Sequence, residues 1–204
     1  MYKKSNKRMI QSQNTKQLLY DHATRLFKEK GYYNVSIEEI TKSAGVSVGA
    51  FYHHFASKDD IVLLWADHLD KEYSDFYTKM QLESKYEDVL NKIEDMILHS
   101  IQMYSFLGRE FTTVSYSYMM KEPKACSRMV NPERSFYKIM KELVEKGKAE
   151  GIIIKTISTE QMVKDIVMVG RGAILDWCIN GGNQNITERS TTFVNSYING
   201  IKTR

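Results

Sequence analysis

The sequence predicts an all-α fold of about nine helices, a small three-helix head fused to a larger helical bundle. Three observations carry this. The 204 residues contain only two prolines, Pro123 and Pro132. Strand-like alternation is scarce, whereas apolar residues recur at helical spacing. Helix-start and helix-stop chemistry repeats along the chain.

The elements follow in order. Leu19, Ala23, Leu26 and Phe27 lie on one face of a first helix that Gly31 ends. Ser36-Ile37-Glu38-Glu39 is a capping box opening a second, short helix. Ala44-Gly45-Val46 breaks it, and Ser47 caps a third over 48–54. Ser57-Lys58-Asp59-Asp60 starts a fourth, with Ile61, Leu64, Trp65, His68, Leu69, Glu72 and Phe76 on one face. Ser84-Lys85-Tyr86-Glu87 caps a fifth carrying Leu90, Ile93, Ile97, Ile101 and Tyr104. After Gly108, Phe111, Val114, Ser115, Tyr118 and Met119 form a sixth, ending near Glu122-Pro123. Asn131-Pro132 reads as a cap with proline in the first helical position, opening a seventh helix that ends at Gly151. Ser158 to Gln161 caps an eighth with Met162, Ile166, Val169, Gly170, Ala173, Ile174 and Trp177, ended by Gly181-Gly182. Asn185 or Thr187 opens a ninth with Ile186, Phe193, Tyr197 and Ile201.

Composition narrows the function. Hydrophobic residues make up 42% and charged residues 26%, enough to build a core. The most apolar run, Ile166 to Trp177, is interrupted by Arg171 and Asp176 and is too short to span a bilayer. The basic first residues lead into no apolar segment, so no secretory signal is expected. Cys126 and Cys178 form neither a metal-ligand spacing nor a disulfide framework. A cytoplasmic protein is expected. The net charge of +4 is unevenly placed. Residues 1–60 hold ten basic and six acidic side chains, and the 19 of each sign that remain cancel. The excess thus sits where a polyanion would meet only the N-terminal part. Lys3, Lys4, Lys7 and Arg8 read as a basic tail over 1–12 rather than as an ordered arm.

Residues 36–55, SIEEITKSAGVSVGAFYHHF, read as helix, glycine turn, helix, the geometry of a helix-turn-helix. Gly45 supplies the left-handed backbone of the turn. Ile37, Ile40 and Ala44 can pack on Val46 and Phe51, and Val48, Gly49 and Ala50 are small enough for close approach to DNA. From about residue 13 to 73 the chain resembles the DNA-binding domain of the TetR/AcrR transcriptional repressors. The match lies in Leu26-Phe27, Gly31-Tyr32, Ser36-Ile37, Ile40, Ala44-Gly45-Val46-Ser47, Gly49, Phe51-Tyr52, His54-Phe55 and Ser57-Lys58. Thr41 stands where that family has a small alanine, and Phe51 where leucine is common.

The resemblance implies a head at 13–73 and a ligand-binding and dimerisation domain at 74–204. It implies that Tyr52 and Lys58 contact phosphates, with Ser36 and Ser47 at helix starts that favour them. His53 is the polar residue for base readout, while Val48, Gly49 and Ala50 offer only apolar contacts or close approach. The resemblance further implies a homodimer on a palindromic operator. Gly170, Ala173, Trp177, Phe193 and Tyr197 are the expected interface residues on the last two helices. A small apolar or aromatic effector is expected in the middle helices, with Met96, His99, Met103, Phe111, Ser115, Tyr118 and Trp177 as contacts. No cofactor or metal site is expected. A competing reading keeps the head but places it under a protein partner or its own abundance. A helical enzyme is the outside alternative, and the chain has no phosphate loop, nucleophile elbow or His-Glu-x-x-His pattern.

Overall fold

The computed structural model describes residues 2–83 and 88–203. They form ten α-helices: α1 (Tyr2–Lys30), α2 (Ile37–Ala44), α3 (Val48–His54), α4 (Ile61–Leu82), α5 (Val89–Ser105), α6 (Gly108–Lys121), α7 (Pro123–Met129), α8 (Ser135–Ala149), α9 (Thr159–Ile179) and α10 (Ile186–Ile201). A 3-10 turn, Lys58–Asp60, precedes α4. There is no strand among the described residues; one isolated bridge pairs Ile153 with Lys202. No described helix is long and apolar enough to cross a membrane.

The caps explain most boundaries. Asp88 caps α5 by accepting from the Leu90 N–H, Ser158 caps α9 through Gln161, and Asn185 caps α10 through Thr187 and Glu188. The expected box at Ser84 to Glu87 lies outside the described residues. Three readings change. The segment expected as a tail continues α1, which begins at Tyr2; the side chains of Lys3, Lys4, Lys7 and Arg8 lie outside the description. Ser57 makes no side-chain cap, and neither does Asp60 at the start of α4; its carboxylate instead ties back to the preceding loop, accepting from the Ala56 N–H at 2.7 Å. The tenth helix is α7, which has Pro123 at its first turn. Proline there starts a helix as readily as it ends the one before. Asn131 instead caps a turn by accepting from the Glu133 N–H, and α8 begins only at Ser135.

Helix α5 is the axis of the body, packed by α4, α6, α8, α9 and α10. Its Ile93, Met96, Ile97 and Ile101 are fully buried. The head packs α1 on α2 and α3 around Leu19, Phe27, Ile40 and Phe51, all essentially inaccessible. Helix α4 runs from head to body without a break, so the boundary expected between residues 73 and 74 falls inside a continuous helix.

Candidate nucleic-acid interface and effector cavity

The head is built from local chemistry. Ser36 Oγ accepts from the Glu39 N–H at 3.1 Å, and the Glu39 carboxylate accepts from the Ser36 N–H at 3.0 Å. Lys30 donates to the same carboxylate and, with the Ser36 N–H, holds it below the usual carboxylate pKa. Gly45 takes φ +68°, the left-handed turn that lets Val46 N–H return to the Thr41 carbonyl. Thr41 is buried, and its hydroxyl is satisfied by donating to the Glu38 carbonyl at 3.0 Å. Ser47 caps α3 through the Ala50 N–H. Phe51 is driven inward against Phe55, their rings 5.2 Å apart. That fixes the opposite face outward. Val48 and Tyr52 stack at i, i+4 and are 37% and 54% exposed; Gly49 and His53 pair beside them, also exposed.

Lys58 is placed differently from expectation. Its Nζ donates to the Tyr32 and Val35 carbonyls, each at 2.8 Å, and lies 4.2 Å over the Tyr32 ring. Burial lowers its pKa, and Asp59 and Glu110 partly restore it. The ammonium group therefore braces the connection between α1 and α2.

Head and body meet at α6. Phe111, 1% exposed, stacks on Phe27 at 5.7 Å and meets Tyr32 and Trp65 edge-on. The Tyr118 hydroxyl donates to Asp60 at 2.8 Å, and burial with that bond raises its pKa to about 12. The Tyr32 hydroxyl donates to Asp59, and the Tyr33 N–H to Glu110. A side chain at Gly31 would collide with that Glu110 carboxylate.

Within the body a cavity of about 60 Å³ lies between α4, α5, α6, α7, α8 and α9. Tyr73, Tyr104, Tyr116, Tyr137, Arg134 and Arg171 line it, with Gly170 at its wall. Arg134 is buried; its Nε meets both Asp70 oxygens at 3.1 Å and its Nη2 donates to the Ala66 carbonyl at 2.8 Å. Arg171 donates to the Met129 carbonyl at 3.0 Å and the Tyr137 hydroxyl at 3.2 Å. Burial raises the pKa of Tyr73, Tyr104 and Tyr116, so these phenols are neutral donors at neutral pH.

The family model described as bacterial regulatory proteins, tetR family, matches residues 19–64. The chain is 27% identical over 141 residues to YwcC, an uncharacterized HTH-type transcriptional regulator of Bacillus subtilis, covering 68% of this chain and 57% of that protein. The chain thus spans about half the length of that curated relative. A TetR transcription regulator from Haloarcula marismortui superposes with a TM-score of 0.71 at 17% identity, over 94% of this chain and 100% of that one. RolR in complex with resorcinol superposes at 0.66 and 15% identity, over 95% and 90%. Residues 19–64 thus carry the tetR-type segment, and the whole chain shares the fold of these regulators. The matched family and its relatives are regulators, not enzymes.

The residues expected to contact effector do not line the cavity. Met96 is plain core, and Met103 is packed against it. Phe111 and Tyr118 belong to the head–body junction, and Ser115 donates to the Phe111 carbonyl within α6. Trp177 is buried with its indole N–H on the Gln184 carbonyl. His99 stacks on Phe76 at 4.0 Å. The reason is rotational: α5 and α6 are apolar over more than one face, and composition does not say which face meets the cavity. The usable signal was Arg171, a guanidinium inside the most apolar run of the sequence.

The expected interface residues also divide. Phe193 is 52% exposed, but Trp177 and Gly170 are buried against their own chain, and Gly170 faces Ser100 Oγ. Ala173 is half-buried, and the half-buried Tyr197 donates to the Met162 carbonyl at 3.4 Å. Helix α9 carries a second apolar stripe, Met168, Leu175 and Ile179, 66%, 49% and 73% exposed.

Proposed function

We propose that this chain is a transcriptional repressor that binds a palindromic operator as a homodimer and releases it when a small effector enters the body. The single observation that carries the reading is α3. Its inner face is anchored by Phe51, and its outer face presents Val48, Gly49, Tyr52 and His53, all exposed. A short helix with small residues at its N-terminal end suits a major groove, and Tyr52 can donate to a phosphate without reading sequence. Ser36 and Ser47 stand at the N-termini of α2 and α3, where phosphates are favoured. His53 is the exposed polar side chain available to base edges, so direct readout is modest.

Dimerisation is supported by the exposed stripe of α9 beside Phe193 on α10, since soluble monomers rarely present such surface. Effector control is supported by the body cavity and by the resorcinol complex of RolR, a protein of similar fold. The test is selection of genomic fragments on purified protein, followed by sequencing. An enriched inverted repeat is the expected result. Retention without enrichment would reduce the head to a non-specific basic module, and no retention at low salt would overturn the DNA-binding reading.

A further inference from the structure

The cavity holds two guanidinium groups, and they differ in one respect. Arg134 is neutralised by Asp70. Arg171 has no carboxylate partner among the described residues; its contacts are the Met129 carbonyl and the Tyr137 hydroxyl, both neutral. The cavity wall therefore carries an uncompensated positive charge. Beside it, Tyr73 and Tyr104 are 5% and 6% exposed, and their hydroxyls make no hydrogen bond among the described residues. Four tyrosines alone would suit a cation held over aromatic faces. The guanidinium decides against it, because a cation entering here would meet like charge in a low-dielectric site.

Arg171 also stands where three spaces converge. The inner cavity lies on one side, and on the other are two outer grooves of about 490 and 510 Å³ that both include its side chain. Met129 separates the cavity from the first groove and Tyr137 from the second, and both are held by Arg171. We propose that the effector is a small organic anion with a flat aromatic or apolar body. Its charged group takes Arg171, and its body enters among Tyr73, Tyr104 and Tyr116. This rests on the reading of the chain as an effector-controlled regulator.

The geometry also gives such a ligand a consequence. A carboxylate is a stronger partner for guanidinium than a neutral carbonyl, so it displaces Met129. The segment from α7 to α8 then loses this tie to α9, while Arg134 and Tyr137 still hold Met129, and it shifts so that the small cavity opens. That segment is tied to α4 by Arg128 on Asp67 and by Arg134 on Asp70 and the Ala66 carbonyl. Helix α4 continues into the turn whose Asp59 and Asp60 receive Tyr32 and Tyr118. A change at Arg171 is thus linked mechanically to the position of the head.

The experiment uses the full chain and three matched probe sets. These are aromatic acids (benzoate, salicylate, 4-hydroxyphenylacetate, 2-naphthoate), the primary amides of the same acids, and the cations choline and benzyltrimethylammonium. Thermal unfolding and calorimetric titration are read for each, with retention on the selected DNA fragments followed in parallel. At least one acid is expected to raise the melting temperature saturably, by about 5–10 °C at roughly hundredfold excess over Kd. Its amide and the cations are expected to do so far less. Arg171→Met should weaken that acid at least about tenfold, and Arg171→Lys should recover part of the loss. The acid-against-amide comparison on the unsubstituted chain does not depend on how the variants fold. Stabilisation by amides or cations equal to that by acids overturns the proposal. So does the absence of any responding acid, or an acid response that survives Arg171→Met. DNA retained and then released by a neutral probe overturns the anion alone, whereas failure to retain DNA overturns the regulator reading beneath it.

Discussion

Tyr52 and Lys58 look equivalent in the sequence, two polar side chains flanking the end of the recognition helix. The structure separates them. Tyr52 is exposed, and its hydroxyl makes no hydrogen bond among the described residues, while Lys58 has two backbone carbonyls as acceptors. Tyr52→Phe is expected to weaken DNA binding equally on all sequences while leaving the melting temperature unchanged. Lys58→Ala is expected to do the reverse. Losing two charge-assisted bonds costs about 1–3 kcal/mol, or roughly 2–10 °C at this size, with an unchanged salt slope of binding. A salt slope reduced by about one ion in Lys58→Ala would return the lysine to the DNA surface. His99 supplies a pH dependence. Its Nε2 is buried without a hydrogen-bond partner among the described residues, and burial depresses its pKa, with Lys79 adding to the effect and Glu72 opposing it. The unfolded imidazole titrates at about 6.5, so below that pH the unfolded chain binds the proton that the folded chain refuses. Stability is therefore full above about 6.5 and falls as the pH drops towards the folded value. His99→Phe, which keeps the stack on Phe76, should flatten that acid limb of the melting curve. An acid limb identical in the two proteins would remove His99 as its cause.

Helix α6 sets the relation between head and body, and Phe111 is its centre. Phe111→Ala should cost about 3–5 kcal/mol in urea or thermal unfolding, because the ring fills the space between Phe27, Tyr32 and Trp65. Phe106→Ala, at an exposed ring under Lys28, should cost no more than about 1 kcal/mol. Equal losses would mean that the junction does not depend on Phe111. The contrast shows what was legible in the sequence. Capping boxes and glycine stops act within four or five residues, so the head and the ends of α9 and α10 could be read locally. Helix α7 could not, because a seven-residue helix carries no periodicity and its Pro123 reads equally as a stop. The cavity could not be read for a different reason. Its lining comes from six helices, and the rotation of each is fixed by all the others. Phe111 and Tyr104 are both aromatic residues at helical spacing in the sequence; only packing assigns one to the junction and the other to the cavity.

Over the whole molecule, one α3 offers few specific contacts, so the proposed operator binding calls for a second copy at a fixed distance. Successive major-groove half-sites lie about 34 Å apart, and a two-fold dimer presents both heads only if its interface is rigid. The surface best suited to that task is the outer stripe of α9. Met168, Leu175 and Ile179 follow one another at i, i+7 and i+11, with Gly172 between them and Phe193 across a shallow cleft on α10. An isologous contact would pair this stripe with itself, and an aspartate introduced there would face its own copy, desolvated and like-charged. Leu175→Asp combined with Phe193→Asp is therefore expected to shift the chain to monomer in sedimentation analysis. Retention on an inverted-repeat fragment should fall to the level of a single half-site. Leu82→Asp, at the exposed end of α4, should leave assembly intact. If the double variant remains dimeric, the interface lies elsewhere and the stripe needs another partner. If it is monomeric yet still holds the palindrome at full affinity, two heads are not required and the recognition helix must read more than its side chains suggest. The expected outcome, monomer with lost affinity, would make interface and recognition helix two parts of one measuring device. The α4 helices would then set the distance it measures.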